Sequence, residues 1–229
     1  MNIFKKITNY FTKFEIILWI VSVILITASF LTFNRGNYLT LVTSLIGVSS
    51  LILLAKGNPI GQILIISFST MYGIISFSYR YYGEVATYCG MSLPMAILSL
   101  VTWLRNPSKE SKAEVKINEI KVKEFIFMFL LALVVTVGFY FMLKYWGTAN
   151  LIPSTASVYT SFCAAYLTMR RSPYYALLYA CNDVVLIVLW TLASIQNPAY
   201  ISVIVCFAVF LVNDSYGFIS WRRRQKTQI

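Results

Sequence analysis

Histidine is absent from this 229-residue chain, which removes the commonest general base and metal ligand. Charge is scarce as well. Only 12% of residues are charged and 59% are hydrophobic, against roughly 25% and 45–50% in a soluble domain. That excludes a water-facing globular surface. The four cysteines, Cys89, Cys163, Cys181 and Cys206, fall inside apolar runs without CxxC spacing, so they read as buried free thiols rather than disulfide or metal partners. With no histidine, no paired acids and no metal cluster, the groups an intramembrane acyl or glycosyl transferase needs are missing. The chain is expected not to be an enzyme, and no cofactor or metal is expected.

What is present is a series of apolar segments. Crossing about 30 Å of hydrocarbon takes about 20 helical residues, and helices satisfy their own backbone hydrogen bonds where lipid cannot. Segments near 15–33, 37–55, 59–79, 84–104, 124–145, 151–169, 173–195 and 198–221 meet that length. The prediction is an all-α integral membrane protein with eight transmembrane helices in a single membrane domain. Its turns carry helix breakers at Gly57-Asn58-Pro59, Ser172-Pro173 and Asn197-Pro198. The stretch from Glu15 to Phe33 is longer than a signal core and has no A-x-A exit, so it reads as a retained first helix.

The net charge of +11 is distributed by side. With both termini cytoplasmic, the inner segments hold sixteen of the nineteen Lys and Arg residues, and the outer loops hold only Arg35, Arg80 and Lys144. This asymmetry sets the orientation by the positive-inside rule and argues for topology rather than a nucleic-acid partner. Residues 105–123 form a charged cytoplasmic connector of mixed sign. Aligning Pro59 with Pro173 reveals two three-helix units, 37–104 and 151–221, ending in Trp103-Leu104-Arg105 and Trp221-Arg222. Helix 124–145 links them and helix 15–33 is added in front. This is a 3+1+3 parallel repeat, a plan in which transporters place their site between units.

Acids inside a membrane segment cost about 2.5–3.5 kcal/mol on insertion scales and mark cavities or partners. Asp183 sits mid-span with no basic residue near it in sequence. Asp214 lies two turns from Arg222-Arg223-Arg224, where an inner-interface ion pair explains it as well as a functional role does. Helical spacing puts Tyr179, Asp183 and Trp190 on one face with Tyr175 and Asn182 adjoining, Asn213 with Tyr216 on another helix, and Gln62, Ser69, Tyr72 and Ser76 on a third. Under the repeat alignment Ser69 corresponds to Asp183 and Ser76 to Trp190. The candidate substrate-binding set is therefore Gln62, Ser69, Tyr72, Tyr175, Tyr179, Asn182, Asp183, Trp190, Asn213 and Tyr216. The hydroxyls Ser154, Thr155, Ser157, Thr160 and Ser161 read as interhelical glue, and Tyr81, Tyr82, Tyr145, Trp146 and Tyr200 as interfacial belt.

These motifs resemble the PnuC family of bacterial vitamin transporters. The resemblance rests on Gly57-Asn58-Pro59-Ile60-Gly61-Gln62, Tyr72-Gly73-Ile74-Ile75 and Tyr81-Tyr82-Gly83-Glu84 in the first unit. In the second it rests on Tyr175, Asn182-Asp183, Trp190, Asn213-Asp214-Ser215-Tyr216-Gly217 and Trp221. It implies a SWEET-like fold, a homotrimer in the bacterial cytoplasmic membrane, and uptake of nicotinamide riboside by facilitated diffusion with trapping by cytoplasmic phosphorylation. Thiamine is the substrate of a related branch. Ile97-Leu98-Ser99-Leu100 departs from an Asn or aromatic run found in some relatives. A pyridinium nucleoside suits aromatic stacking and cation–π contact of about 0.5–2 kcal/mol, amide bonds from Asn182, Asn213 and Gln62, and charge offset by Asp183. No phosphate-binding cluster lies in the spans, which favours the nucleoside over the mononucleotide. A sensor or a subunit of a larger transporter is the competing class.

Overall fold

The computed structural model describes residues 10–36, 38–78, 82–109 and 111–228; Arg80 and Tyr81 lie outside that set. Its helices are α1 (Lys13–Phe33), α2 (Tyr38–Ala55), α3 (Ile60–Ser78), α4, α5 (Val122–Tyr145), α6 (Leu151–Met169), α7 (Tyr174–Ser194) and α8 (Ile201–Gln228). α4 is composite, running through Tyr82–Val85, a π-helical stretch Ala86–Ser92 and Leu93–Leu104. Pro94 explains the composite form: it has no N–H for the ladder, and the turn before it loosens so that Leu93 N donates to Tyr88 O.

Among the described residues, seven helices are long and apolar enough to cross a membrane. α6 falls short because it is rich in hydroxyls. Those hydroxyls bond mostly within their own helix, Thr155 to Leu151 O at 2.8 Å, Ser157 to Ser154 O at 2.8 Å and Ser161 to Ser157 O at 2.6 Å. The expected interhelical glue is thus largely local; of those five residues Thr160 reaches across, to Asn182 Oδ1 at 2.8 Å, as Tyr166 does to Glu124 at 3.3 Å. Burial does not follow the pattern of a water-soluble protein. α5 turns Phe127, Leu130, Val134 and Phe141 outward, the surface a lipid environment favours.

α2 packs on α3 and α3 on α4; α6 packs on α7 and α7 on α8. Two contacts join these groups, α8 with α2 and α4 with α6. They are built alike. Trp103 Nε1 donates to Thr168 O at 2.8 Å and Thr102 Oγ1 to Met169 O at 3.0 Å. Trp221 Nε1 donates to Leu54 O at 2.8 Å and Ser220 Oγ to Ala55 O at 2.8 Å. The two indoles meet at 5.4 Å, and Tyr175 packs edge-on to Trp221 at 4.9 Å. All four acceptors are carbonyls of a helix's last turn; Leu54 O and Thr168 O also accept a backbone bond, from Gly57 N and Arg171 N. Gly47 allows α2 and α8 to close up, since a Cβ there would sit 2.7 Å from Phe210 Cζ.

The connector is not a loose charged loop. Ser108 N donates to Glu114 O and Lys116 N to Asn106 O, while Val115 and Ile117 are buried. α8 continues past the predicted stop at 221 to Gln228, because its last turns bind this segment: Ile117 N donates to Gln228 Oε1 at 2.9 Å and Arg224 pairs with Glu114 at 3.0 Å. α1 is fixed by Glu15, which is buried, closes a capping box with Thr12, and accepts from Tyr216 at 2.8 Å.

Candidate functional site

Between the two helix groups lies a cavity with about 150 Å³ open to the centres of water molecules, room for roughly ten waters. One end is bounded by Glu84, Thr148 and Ser154, the other by Leu54, Gln62 and Thr168. The Trp103–Trp221–Tyr175 cluster lies at this second end, all three side chains being 1% exposed or less.

Five predicted residues line the cavity: Gln62, Ser69, Tyr179, Asn182 and Asp183. Ser69 and Asp183, matched by the repeat alignment, both face it. Asn182 keeps its amide oxygen on Thr160. Two buried atoms of the described lining are left without a partner in the protein, Gln62 Nε2 and Asp183 Oδ2. A buried polar atom left unpaired costs about 1–3 kcal/mol, so a donor and an acceptor waiting in one cavity point to a bound polar molecule.

The other five predicted residues are placed elsewhere. Tyr72 lines a smaller neighbouring cavity and stacks on Tyr88 at 4.5 Å. Tyr175 is covered by Trp221. Trp190 packs on Tyr200 at 5.2 Å, because two turns beyond Asp183 it lies near the end of α7, about 10 Å along the helix axis from that acid. Asn213 donates to Ser22 on α1 at 3.0 Å, and Tyr216 to Glu15 on the same helix. The polar stripe of α8 that looked functional holds α1 in place.

Asp214, one position from that stripe, does reach the cavity, along with Phe207 and Phe210 of the same helix. The ion pair with the following arginines does not form: Arg224 pairs with Glu114, and Asp214 meets Asp183 instead. Paired acids, not visible at any local spacing, are created by the packing of α7 on α8. Glu84, Thr87, Tyr88 and Ser92 of α4 were also missed. They come into reach through the π-helical stretch, for which Pro94 is the only sequence signal. Among the described residues, Glu84, Asp183 and Asp214 line the cavity and no Lys or Arg does. No group of acids, cysteines and histidines there is suited to a metal ion.

Comparison with known proteins agrees with this architecture. The family model described as nicotinamide mononucleotide transporter matches residues 37–223. The nicotinamide riboside transporter PnuC of Neisseria mucosa is 22% identical over 226 residues, covering 97% of this chain and 86% of that protein. The crystal structure of the vitamin B3 transporter PnuC superposes with a TM-score of 0.82 at 21% identity, over 96% of this chain and 94% of that one.

Proposed function

Given that the chain belongs to the nicotinamide mononucleotide transporter family, a family of membrane transporters and not of enzymes, we propose that it carries nicotinamide riboside across the bilayer by facilitated diffusion. The observation that carries this reading is the acidic lining of the cavity: among the described residues Glu84, Asp183 and Asp214 line it and no Lys or Arg does. A fixed pyridinium cation gains from such a lining. At an effective dielectric near 20, a carboxylate about 4 Å away contributes about 4 kcal/mol before desolvation. A phosphate dianion would be repelled by the same groups, so the riboside fits and the mononucleotide does not. Gln62 Nε2 and Asn182 are set to bond an amide or ribose hydroxyls, and Tyr179, Tyr88, Phe68 and Phe210 offer aromatic faces.

The finer architecture belongs to the same proposal. Eight crossings require α6 to span despite its hydroxyls, and its length, equal to that of α3, supports this. A 3+1+3 parallel repeat within the boundaries 37–104 and 151–221 is supported by the reciprocal Trp bonds of α4 and α8, whose acceptors Leu54 and Thr168 correspond under the alignment of Pro59 with Pro173. Basic residues gathered at the Trp end support a cytoplasmic position for that end and for both termini. A homotrimer and trapping by cytoplasmic phosphorylation complete the reading, as the family resemblance implies.

Proteoliposomes containing the purified protein test it. Labelled nicotinamide riboside should enter down its own gradient, at the same rate with or without a proton or sodium gradient, and excess mononucleotide should compete poorly. Uptake that stops when ion gradients are collapsed would overturn the facilitated mechanism. Tight binding of thiamine with none of the riboside would overturn the substrate.

A further inference from the structure

The end of the cavity nearest the arginines is closed by more than its tryptophans. Residues 105–109 and 111–121 run across it and grip the same corner of each helix group. Val115 N donates to Gly57 O at 2.9 Å and Asn118 N to Arg171 O at 3.0 Å. Both acceptors are left-handed, with φ of 68° and 59°, and each turns the chain between the first and second helix of its group. Under the alignment of Pro59 with Pro173 they are the same position.

The strap is divided. Its first half folds on itself through the Ser108–Glu114 and Lys116–Asn106 bonds and stays with α4 and Gly57. Its second half goes with the other group, through Asn118 on Arg171, Ile117 on Gln228 and Gln225 on Glu119 at 3.2 Å. Few side-chain contacts cross this division. Arg224 of α8 pairs with Glu114 at 3.0 Å and donates to Val115 O at 3.4 Å, and Gln228 donates to Ser108 at 3.3 Å. Both Arg224 and Glu114 are mostly covered, so this ion pair is less screened than a surface one. Its guanidinium also rests against Gly57, where a Cβ would collide with it.

Any parting of the two groups at this end must break those contacts. We infer that residues 105–109 and 111–121 form a latch over the cytoplasmic end of the cavity, with Glu114–Arg224 as its catch, which opens each time substrate is released. The inference rests on the transporter reading and its orientation, and adds the element that holds the inner end shut.

The test uses a full-length variant with the four native cysteines replaced by serine or alanine and the pair Glu114→Cys and Arg224→Cys introduced. A short bis-methanethiosulfonate bridge should lower uptake of labelled nicotinamide riboside by about tenfold or more, as expected when gating limits turnover. Reductant should restore it, and binding of the same compound from the outer side should persist. A bridged protein that transports at its unbridged rate would overturn the latch. A second arm needs no substrate. Ser99→Cys, at the cavity, should react with a membrane-impermeant maleimide in inside-out vesicles several-fold faster when Glu114→Ala and Arg224→Ala are added. Equal rates would likewise overturn the latch, even if the carried compound proved to be something other than the riboside.

Discussion

Asp183 presents Oδ2 to the cavity with no partner in the protein, and Gln62 presents an equally unpartnered Nε2 from the opposite group. Each is more than 95% buried, so each stands to gain a hydrogen bond that nothing else in the fold supplies. Gln62→Ala and Asn182→Ala should weaken riboside binding by about three- to tenfold each, the usual worth of one hydrogen bond. Asp183→Asn should cost about tenfold, because the Asp183–Asp214 pair loses one of the two carboxyls that can take up a negative charge toward a cation, with the shape kept. Trp190→Ala should leave affinity nearly unchanged, since the indole packs on Tyr200 outside the cavity. Titration calorimetry on the purified variants separates these outcomes; a large loss at Trp190 with none at Gln62 would move the site toward the far end of α7. The sequence identified Asp183 because an isolated intramembrane acid is costly. It misled at Asn213 and Tyr216 because periodicity gives the faces of a helix without saying which neighbour each one meets.

At the scale of the helices, α4 decides how much of the lining exists. Its π-helical stretch turns Glu84, Thr87 and Tyr88 toward the same space as Met95, Ala96 and Ser99. Deleting Gly90, whose surroundings are open, should restore ordinary α-helical register ahead of Pro94 and swing the outer residues through about 100°. Riboside binding should then fall strongly while the protein stays folded by thermal scanning. Retained affinity would mean that Glu84 and Tyr88 are not used. Helix limits were legible from hydropathy and turn residues to within a few positions, apart from the end of α8. That end was hidden because a run of Arg, Gln and Lys looks like a solvated tail until Glu114, Ile117 and Glu119 are brought against it. The connector's charges are visible in sequence, but the burial of Val115 and Ile117 depends on partners far along the chain.

Over the whole molecule, two indole N–H groups hold the helix groups together across their shared end. Trp103→Phe and Trp221→Phe each remove one donor; Thr168 O and Leu54 O keep their backbone bonds from Arg171 N and Gly57 N, so each should cost about 0.5–1.5 kcal/mol. Because the rings touch, the double variant should lose less or more than the sum of the two singles. Thermal unfolding in detergent measures this, and strict additivity would show that the two contacts act independently. Pro59, Pro173 and the closing tryptophans are the sequence signals for two helix groups, and the Trp103 and Trp221 bonds are in keeping with them. The cavity between them was readable only in part, because Asp214 and Glu84 enter it through packing angles that no local pattern encodes.

The hydroxyl-rich composition of α6 has a consequence for how the chain enters the membrane. A segment too polar to partition by itself must be threaded together with an apolar neighbour, as a hairpin with α5 or α7. In a glycosylation-mapping assay of translocon insertion, α6 alone should insert poorly, and attaching α5 should rescue it. The serines that give the cavity its wetness would then make biogenesis of the second helix group depend on the helix made just before it.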